Sequence, residues 1–194
     1  MSRQIGIPDS EFIRGKVPMT KEEIRILTIV KAGIKPDSKV LDVGAGTGSL
    51  SCEAAMQAEL GQVFALERKT EAIALIKANK EKFHLDNIKI IQAEAPEGLD
   101  GLPLLDVVLI GGSGSNLQGI LTKVNDLLKI GGKIVLNCIT VQTLFSCLDY
   151  MKKTEEYVYD TVQVQVNHWE QVGPYDMAKS NNPIFIVTCT KVDK

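Results

Sequence analysis

Histidine and cysteine are scarce in this chain: 194 residues include only His84 and His168, and four cysteines (Cys52, Cys138, Cys147, Cys189) with no C-x-x-C spacing. Ligands so few and so scattered exclude a protein-built metal centre. The cysteines read as small buried hydrophobes of a reducing compartment, not as a disulfide framework. His84 falls near the expected end of a helix, where a cation is mildly favoured. No apolar run approaches the roughly 20 residues that span a bilayer, and the opening Met-Ser-Arg-Gln-Ile-Gly lacks a signal-peptide core. A cytoplasmic protein with no membrane partner is expected. A surplus of basic charge is missing too: 22 Lys and Arg against 24 Asp and Glu leave a net charge of −2, which argues against a nucleic-acid partner. Repeats and low-complexity linkers are absent. With 44% hydrophobic and 24% charged residues, the composition suits a single domain over 1–194 with a sizeable core.

What is present is alternation. Residues 1–19 are irregular, with Pro8 and Pro18 opposing regular structure. Thr20-Lys21-Glu22-Glu23 has the pattern of a capping box and opens a helix to about residue 32, which Gly33 and Pro36 end. Short apolar runs at 39–43, 62–66, 88–92, 106–110 and 133–137 predict strands. Helical segments at 49–60, 70–83, 117–128 and 140–152 separate them, apart from a Pro- and Gly-rich loop after residue 92. Such βα alternation predicts an α/β fold with parallel strands, right-handed crossovers and helices on both faces. The tail differs. Residues 157–166 alternate with the period of a half-exposed strand, and 184–190 form a last strand after a polar loop. No helix-length segment joins these two, so they should pair antiparallel as a C-terminal hairpin, giving a seven-stranded mixed sheet.

The chemistry sits at the end of the first strand. Residues 40–48 read Val-Leu-Asp-Val-Gly-Ala-Gly-Thr-Gly, with Gly44, Gly46 and Gly48 alternating after an apolar run and just before a helix. Glycines there let the backbone turn sharply and approach a ligand, while the first amides of the helix lie unpaired. Asp42 places a carboxylate at the sheet edge, which suits a cationic or donor-rich ligand and repels a pyrophosphate. A dinucleotide fingerprint would read G-x-G-x-x-G. The spacing G-x-G-x-G instead resembles motif I of the class I methyltransferases that use S-adenosyl-L-methionine (SAM). Glu67 ends the second strand 19 positions after Gly48, where an acid can accept ribose hydroxyls; alone it would read as a surface carboxylate paired with Arg68 or Lys69. The stretch Ala93-Glu94-Ala95 follows the third strand, where such enzymes hold adenine.

Across nearly its whole length the chain resembles the decarboxylating cobalt-precorrin-6B C15-methyltransferases, a family similar to the C-terminal half of precorrin-6Y methylase. The resemblance rests on Gly6-Ile7-Pro8-Asp9 with Phe12, Val17-Pro18-Met19-Thr20-Lys21-Glu22-Glu23 and the glycine loop through Ser49. It continues through Ala93-Glu94-Ala95-Pro96, Ile110-Gly111-Gly112-Ser113-Gly114, Asn137 with Thr140, and Asn182-Pro183-Ile184-Phe185-Ile186-Val187. Ala93 departs from the pattern, since relatives often carry Gly there. The resemblance implies a Rossmann-like methyltransferase fold, an N-terminal segment that covers the active site, and homo-oligomers with a tetramer as the expected form. It implies methylation at C15 of a corrinoid precursor and loss of the C12 acetate carboxyl during anaerobic cobalamin biosynthesis. The cofactor contacts it implies are Thr20, Gly44, Ala45, Gly46, Thr47, Gly48, Glu67, Glu94 and Ala95. Thr20 is equally well explained as a helix cap. Substrate candidates are Gly111, Gly112, Ser113, Asn137, Thr140 and Trp169. Arg14 and Lys16, and the loop Asn167–Asn182 with its His168, Tyr175 and Lys179, are further candidates to meet a polycarboxylate, each equally readable as an ordinary surface residue. No catalytic residue is assigned, because a conjugated macrocycle can itself take up the electrons left by departing CO₂. A class I methyltransferase acting on tRNA or a protein carboxyl group stays open as an alternative. So do a SAM-binding module without turnover and a nicotinamide oxidoreductase, which the glycine spacing and Asp42 disfavour.

Overall fold

Short β-branched runs become parallel strands here because helices cover both of their faces. The computed structural model describes residues 5–114 and 116–193; residues 1–4 of the expected irregular segment lie outside them. After a single 3-10 turn at Asp9–Glu11 come α1 (Glu22–Ala32), β1 (Lys39–Val43), α2 (Ser49–Gln57), β2 (Gln62–Glu67), α3 (Thr70–Lys82) and β3 (Ile88–Gln92). Then follow β4 (Leu105–Ile110), α4 (Leu117–Leu127), β5 (Leu128–Cys138), α5 (Val141–Thr154), β6 (Tyr157–Val164), β7 (Asn167–Val172), β8 (Tyr175–Ser180) and β9 (Ile184–Lys191). Seven strands form one sheet in the order β3-β2-β1-β4-β5-β9-β6. The first five are parallel, and β9 pairs antiparallel with both β5 and β6.

Successive strand residues face opposite sides. Val40 joins a core cluster with Ile24, Ala54, Ile73 and Ile76, so α1, α2 and α3 cover one face. Leu41 and Val43 join a second cluster with Ile120, Leu121, Val124 and Met151, so α4 and α5 cover the other. The change of face falls between β1 and its neighbour β4, which opens a crevice at the carboxyl ends of these strands.

Three local expectations change. The capping box at Thr20 does not form: α1 starts at Glu22 with Lys21 at its cap position and no side-chain capping bond. The carbonyl of Thr20 instead accepts a 2.7 Å bond from Arg25 Nη1, inside a buried network. Strand β5 starts at Leu128, earlier than its apolar run, with a register irregularity opposite Leu105–Val107 where Gly131 takes a positive φ of 79°. β6 and β9 pair antiparallel as expected, but the polar loop between them holds a second hairpin. β7 and β8 form their own two-stranded sheet, exposed at every residue.

Candidate cofactor and substrate site

The loop after β1 folds back on the end of β2, with the amides of Gly44 and Ala45 donating to the Leu66 carbonyl at 3.0 and 3.1 Å. Gly44 has φ +71°, and a Cβ there would stand 2.5 Å from the Gly112 carbonyl oxygen, so the loops after β1 and β4 meet backbone to backbone. Gly46 has φ +57° and lies under the N-terminal segment, where a Cβ would meet the Pro18 carbonyl at 3.3 Å. Between these loops opens a cleft of about 480 Å³ at the carboxyl edge of the sheet, a size suited to a small-molecule ligand.

Two acids define its electrostatics. Glu67 is buried and its carboxylate accepts three backbone amides: Gly46 N at 3.0 Å on Oε2, Arg68 N and Lys69 N at 2.9 Å on Oε1. It is therefore no surface carboxylate paired with those side chains. Arg68 turns to Glu94 at 3.0 Å, an exposed pair of little energetic weight. Asp42 is fully buried, and one of its oxygens takes the Ser51 hydroxyl at 2.5 Å. Its other oxygen, Oδ1, is buried without a hydrogen-bond partner among the described residues. Burial pushes the Asp42 carboxyl up to about 6, with the nearby Glu67 charge adding to the rise and the Ser51 bond opposing it.

Most sequence candidates meet here. Thr20, Gly44, Ala45, Gly46, Thr47, Glu67, Glu94, Ala95, Gly111, Gly112, Ser113 and Asn137 all line the cleft. Gly48 does not; it caps α2 with φ +78° and packs against Ile76, so it shapes the loop from behind. Thr140 caps α5 by accepting from Thr143 N at 3.2 Å, and it lines an adjoining hollow shared with Gly111, Gly112, Ser113 and Asn137. Trp169 does not line the cleft: it is 73% exposed on the β7–β8 hairpin. Arg14, Lys16, His168, Tyr175 and Lys179 lie outside the cleft lining as well, with His168 Nε2 3.5 Å from Glu23 and Lys179 3.5 Å from Glu170. Sequence reasoning missed Val166 and Ile184 as wall residues, while Asn181 and Asn182 end the loop 167–182 expected against substrate, and Val17 and Met19 belong to the N-terminal segment expected over the site. Asn137 sits where its Oδ1 is 3.0 Å from the Thr28 hydroxyl, while its Nδ2 is buried without a partner among the described residues.

The residues present fit SAM. A buried carboxylate oxygen with unused acceptor capacity suits a cation, Glu67 Oε2 keeps an acceptor site for a ribose hydroxyl, and the small Ala93 and Ala95 leave room for a flat base. This sheet order, glycine loop and pair of acids define a class I SAM-dependent methyltransferase. The match can be made narrower. A family model described as a precorrin methyltransferase domain matches residues 11–191, and the chain belongs to that family. It is 42% identical over 185 residues to a Sulfurisphaera tokodaii protein named probable cobalt-precorrin-6B C(15)-methyltransferase (decarboxylating), covering 94% of this chain and 95% of that one. The Salmonella typhimurium protein named cobalt-precorrin-6B C(15)-methyltransferase (decarboxylating) is 38% identical over 184 residues, again covering 94% and 95%. A crystal structure of precorrin-6y C5,15-methyltransferase from Geobacter metallireducens superposes with a TM-score of 0.91 at 39% identity, covering 96% of this chain and 98% of that one.

Proposed function

We propose that this chain methylates C15 of cobalt-precorrin-6B with SAM and releases the C12 acetate carboxyl as CO₂, within anaerobic cobalamin biosynthesis. The observation that carries the reading is the cleft itself: two buried acids and a glycine loop on one wall, and on the other a glycine turn with a buried, unpartnered amide nitrogen. Support comes also from the relatives, whose names give this substrate and both events.

Bound SAM supplies an electrophilic methyl group. The chain's part is to bind and align. Glu67 holds the ribose hydroxyls, since its backbone bonds fix the carboxylate against the glycine loop. Ionised Asp42 faces the cationic end. Thr20, Gly44, Ala45, Gly46, Thr47, Glu94 and Ala95 complete the cofactor wall, and Gly48 acts through the packing of the loop on α3. The apolar side chains of Val17 and Met19 keep water from the reacting centre. Gly111, Gly112 and Ser113 leave space for a flat acceptor, and Asn137 Nδ2 offers it a hydrogen bond. Thr140 borders the adjoining hollow, and Trp169 meets substrate only at the outer surface. We assign no side chain as acid or base, because the conjugated ring accepts the electron pair freed as the carboxylate leaves. One methyltransferase domain over 1–194, a segment 1–19 that covers the active site, a cytoplasmic location and a homotetramer complete the reading. No helix among the described residues is long and apolar enough to cross a membrane.

Anaerobic incubation with cobalt-precorrin-6B and SAM, followed by mass spectrometry of the corrinoid, tests it. Gain of one methyl with loss of one CO₂ is expected. Gain of the methyl alone would assign the decarboxylation elsewhere, and an unchanged corrinoid would remove this substrate.

A further inference from the structure

The N-terminal segment crosses the cofactor cleft as a bridge with two buried piers. At one end, Asn79 of α3 is fully buried and its carboxamide accepts from Ile13 N at 2.7 Å and donates to Ile13 O at 3.0 Å. The same Nδ2 donates to the carbonyl of Thr47, in the glycine loop, at 2.9 Å. The partners fix which way the amide points, since a backbone N–H needs the oxygen and two carbonyls need the nitrogen. At the other end, Arg25 of α1 is fully buried, donates to Thr20 O at 2.7 Å and pairs with Glu53 at 2.6 Å. Residues 14–19 hang between these two points. Their apolar members Val17 and Met19 are buried against the cleft, and Pro18 passes over Gly46.

We infer that Asn79 is a positioning residue for cofactor binding: it sets the bridge and the glycine loop in register, so that the two walls of the cleft form together. The inference rests on the cofactor reading given above. Asn79 does not line the cleft, and its three hydrogen bonds join two segments that do not bond to each other through any other side chain among the described residues. A bound ligand held by both walls stiffens both, and a chain without Asn79 must order the bridge anew at each binding event. Arg25 serves the same bridge from its other end, but it is also a buried charge whose removal strands Glu53. Asn79 is therefore the cleaner probe.

The test is calorimetric titration of S-adenosylhomocysteine into the full chain and into Asn79→Ala. Tyr157→Phe serves as the destabilised control, since it loses a 2.6 Å bond to Asn125 among residues that do not line the cleft. Asn79→Ala should weaken binding by about tenfold to a hundredfold. It should raise KM for SAM while kcat at saturating SAM stays within about twofold of the parent chain. Tyr157→Phe should bind as the parent does. A folded Asn79→Ala with parental affinity, or equal losses in both variants, would overturn the inference. Where Asn79→Ala does not fold, amide exchange of the parent chain decides. S-adenosylhomocysteine should slow exchange at Ile13, which does not line the cleft, together with Thr47; protection of Thr47 alone would overturn it. A parent chain that does not bind S-adenosylhomocysteine at all fails the cofactor reading instead, a separately readable result.

Discussion

The cleft walls and the β7–β8 hairpin are opposite kinds of structure in one chain. In the walls, buried polar side chains tie the glycine loop and the N-terminal segment: Glu67 holds Gly46, Asn79 holds Thr47 and Ile13, and Arg25 holds Thr20. In the hairpin every residue is exposed, and among the described residues its side-chain tie to the helices is the 3.5 Å approach of His168 to Glu23. Buried hydrogen bonds in low dielectric are costly to leave unmade, so the walls have one geometry. An exposed two-stranded ribbon gains little from burial and owes its shape to local pairing. A site that must hold a cofactor to a fraction of an ångström is built from the first kind of contact.

Substitutions ranked by expected effect break or sharpen that contrast. Gly44→Ala should be the most damaging: its methyl would meet the Gly112 carbonyl at 2.5 Å in a left-handed backbone, forcing the two loops apart. Titration should find affinity for S-adenosylhomocysteine lowered on the order of a hundredfold or more. Glu67→Gln keeps the volume but removes the charge and half the acceptor capacity facing three amides. It should weaken binding about tenfold to a hundredfold, with the far-ultraviolet circular dichroism unchanged.

Acid should act next, through Asp42. Its carboxyl titrates near 6 in the folded chain against the usual 3.8, so its contribution to the stability of the ligand-free chain is full below that usual value and is lost as pH rises through about 6. Binding runs the other way, because the ammonium group of the ligand's amino acid end favours the ionised carboxylate. Affinity for S-adenosylhomocysteine should fall about fourfold between pH 7.5 and 5.5, and Asp42→Asn should abolish that dependence. An equal pH dependence in Asp42→Asn would assign it to another group. Trp169→Ala, at the exposed end of the comparison, should change affinity by less than about twofold and leave the melting temperature nearly unmoved.

The same contrast explains what the sequence made legible. Strands β1 to β4 and helices α2 to α4 announce themselves because apolar periodicity records burial, and the glycine loop because three alternate glycines after a strand have few other uses. The acids Asp42 and Glu67 follow from their places at strand ends. The hairpin left no trace: Asn-His-Trp-Glu-Gln-Val and Tyr-Asp-Met-Ala-Lys-Ser carry no buried face, so neither alternates. The cap expected at Thr20 failed because Arg25, four residues into the helix region, competes for the Thr20 carbonyl. Asn79 could have been suspected: it continues the stripe of Ile73 and Ile76, and a carboxamide on an apolar helix face must find partners when buried. Its partners, Ile13 and Thr47, are 66 and 32 residues away, a separation no local pattern encodes.

A crystal structure of the chain with S-adenosylhomocysteine tests the central claim most directly. The account predicts one molecule per chain in the cleft beneath Val17, with its ribose hydroxyls on Glu67 and its amino acid end toward Asp42. A ligand bound elsewhere, or one whose ribose is held by groups other than Glu67, would contradict it.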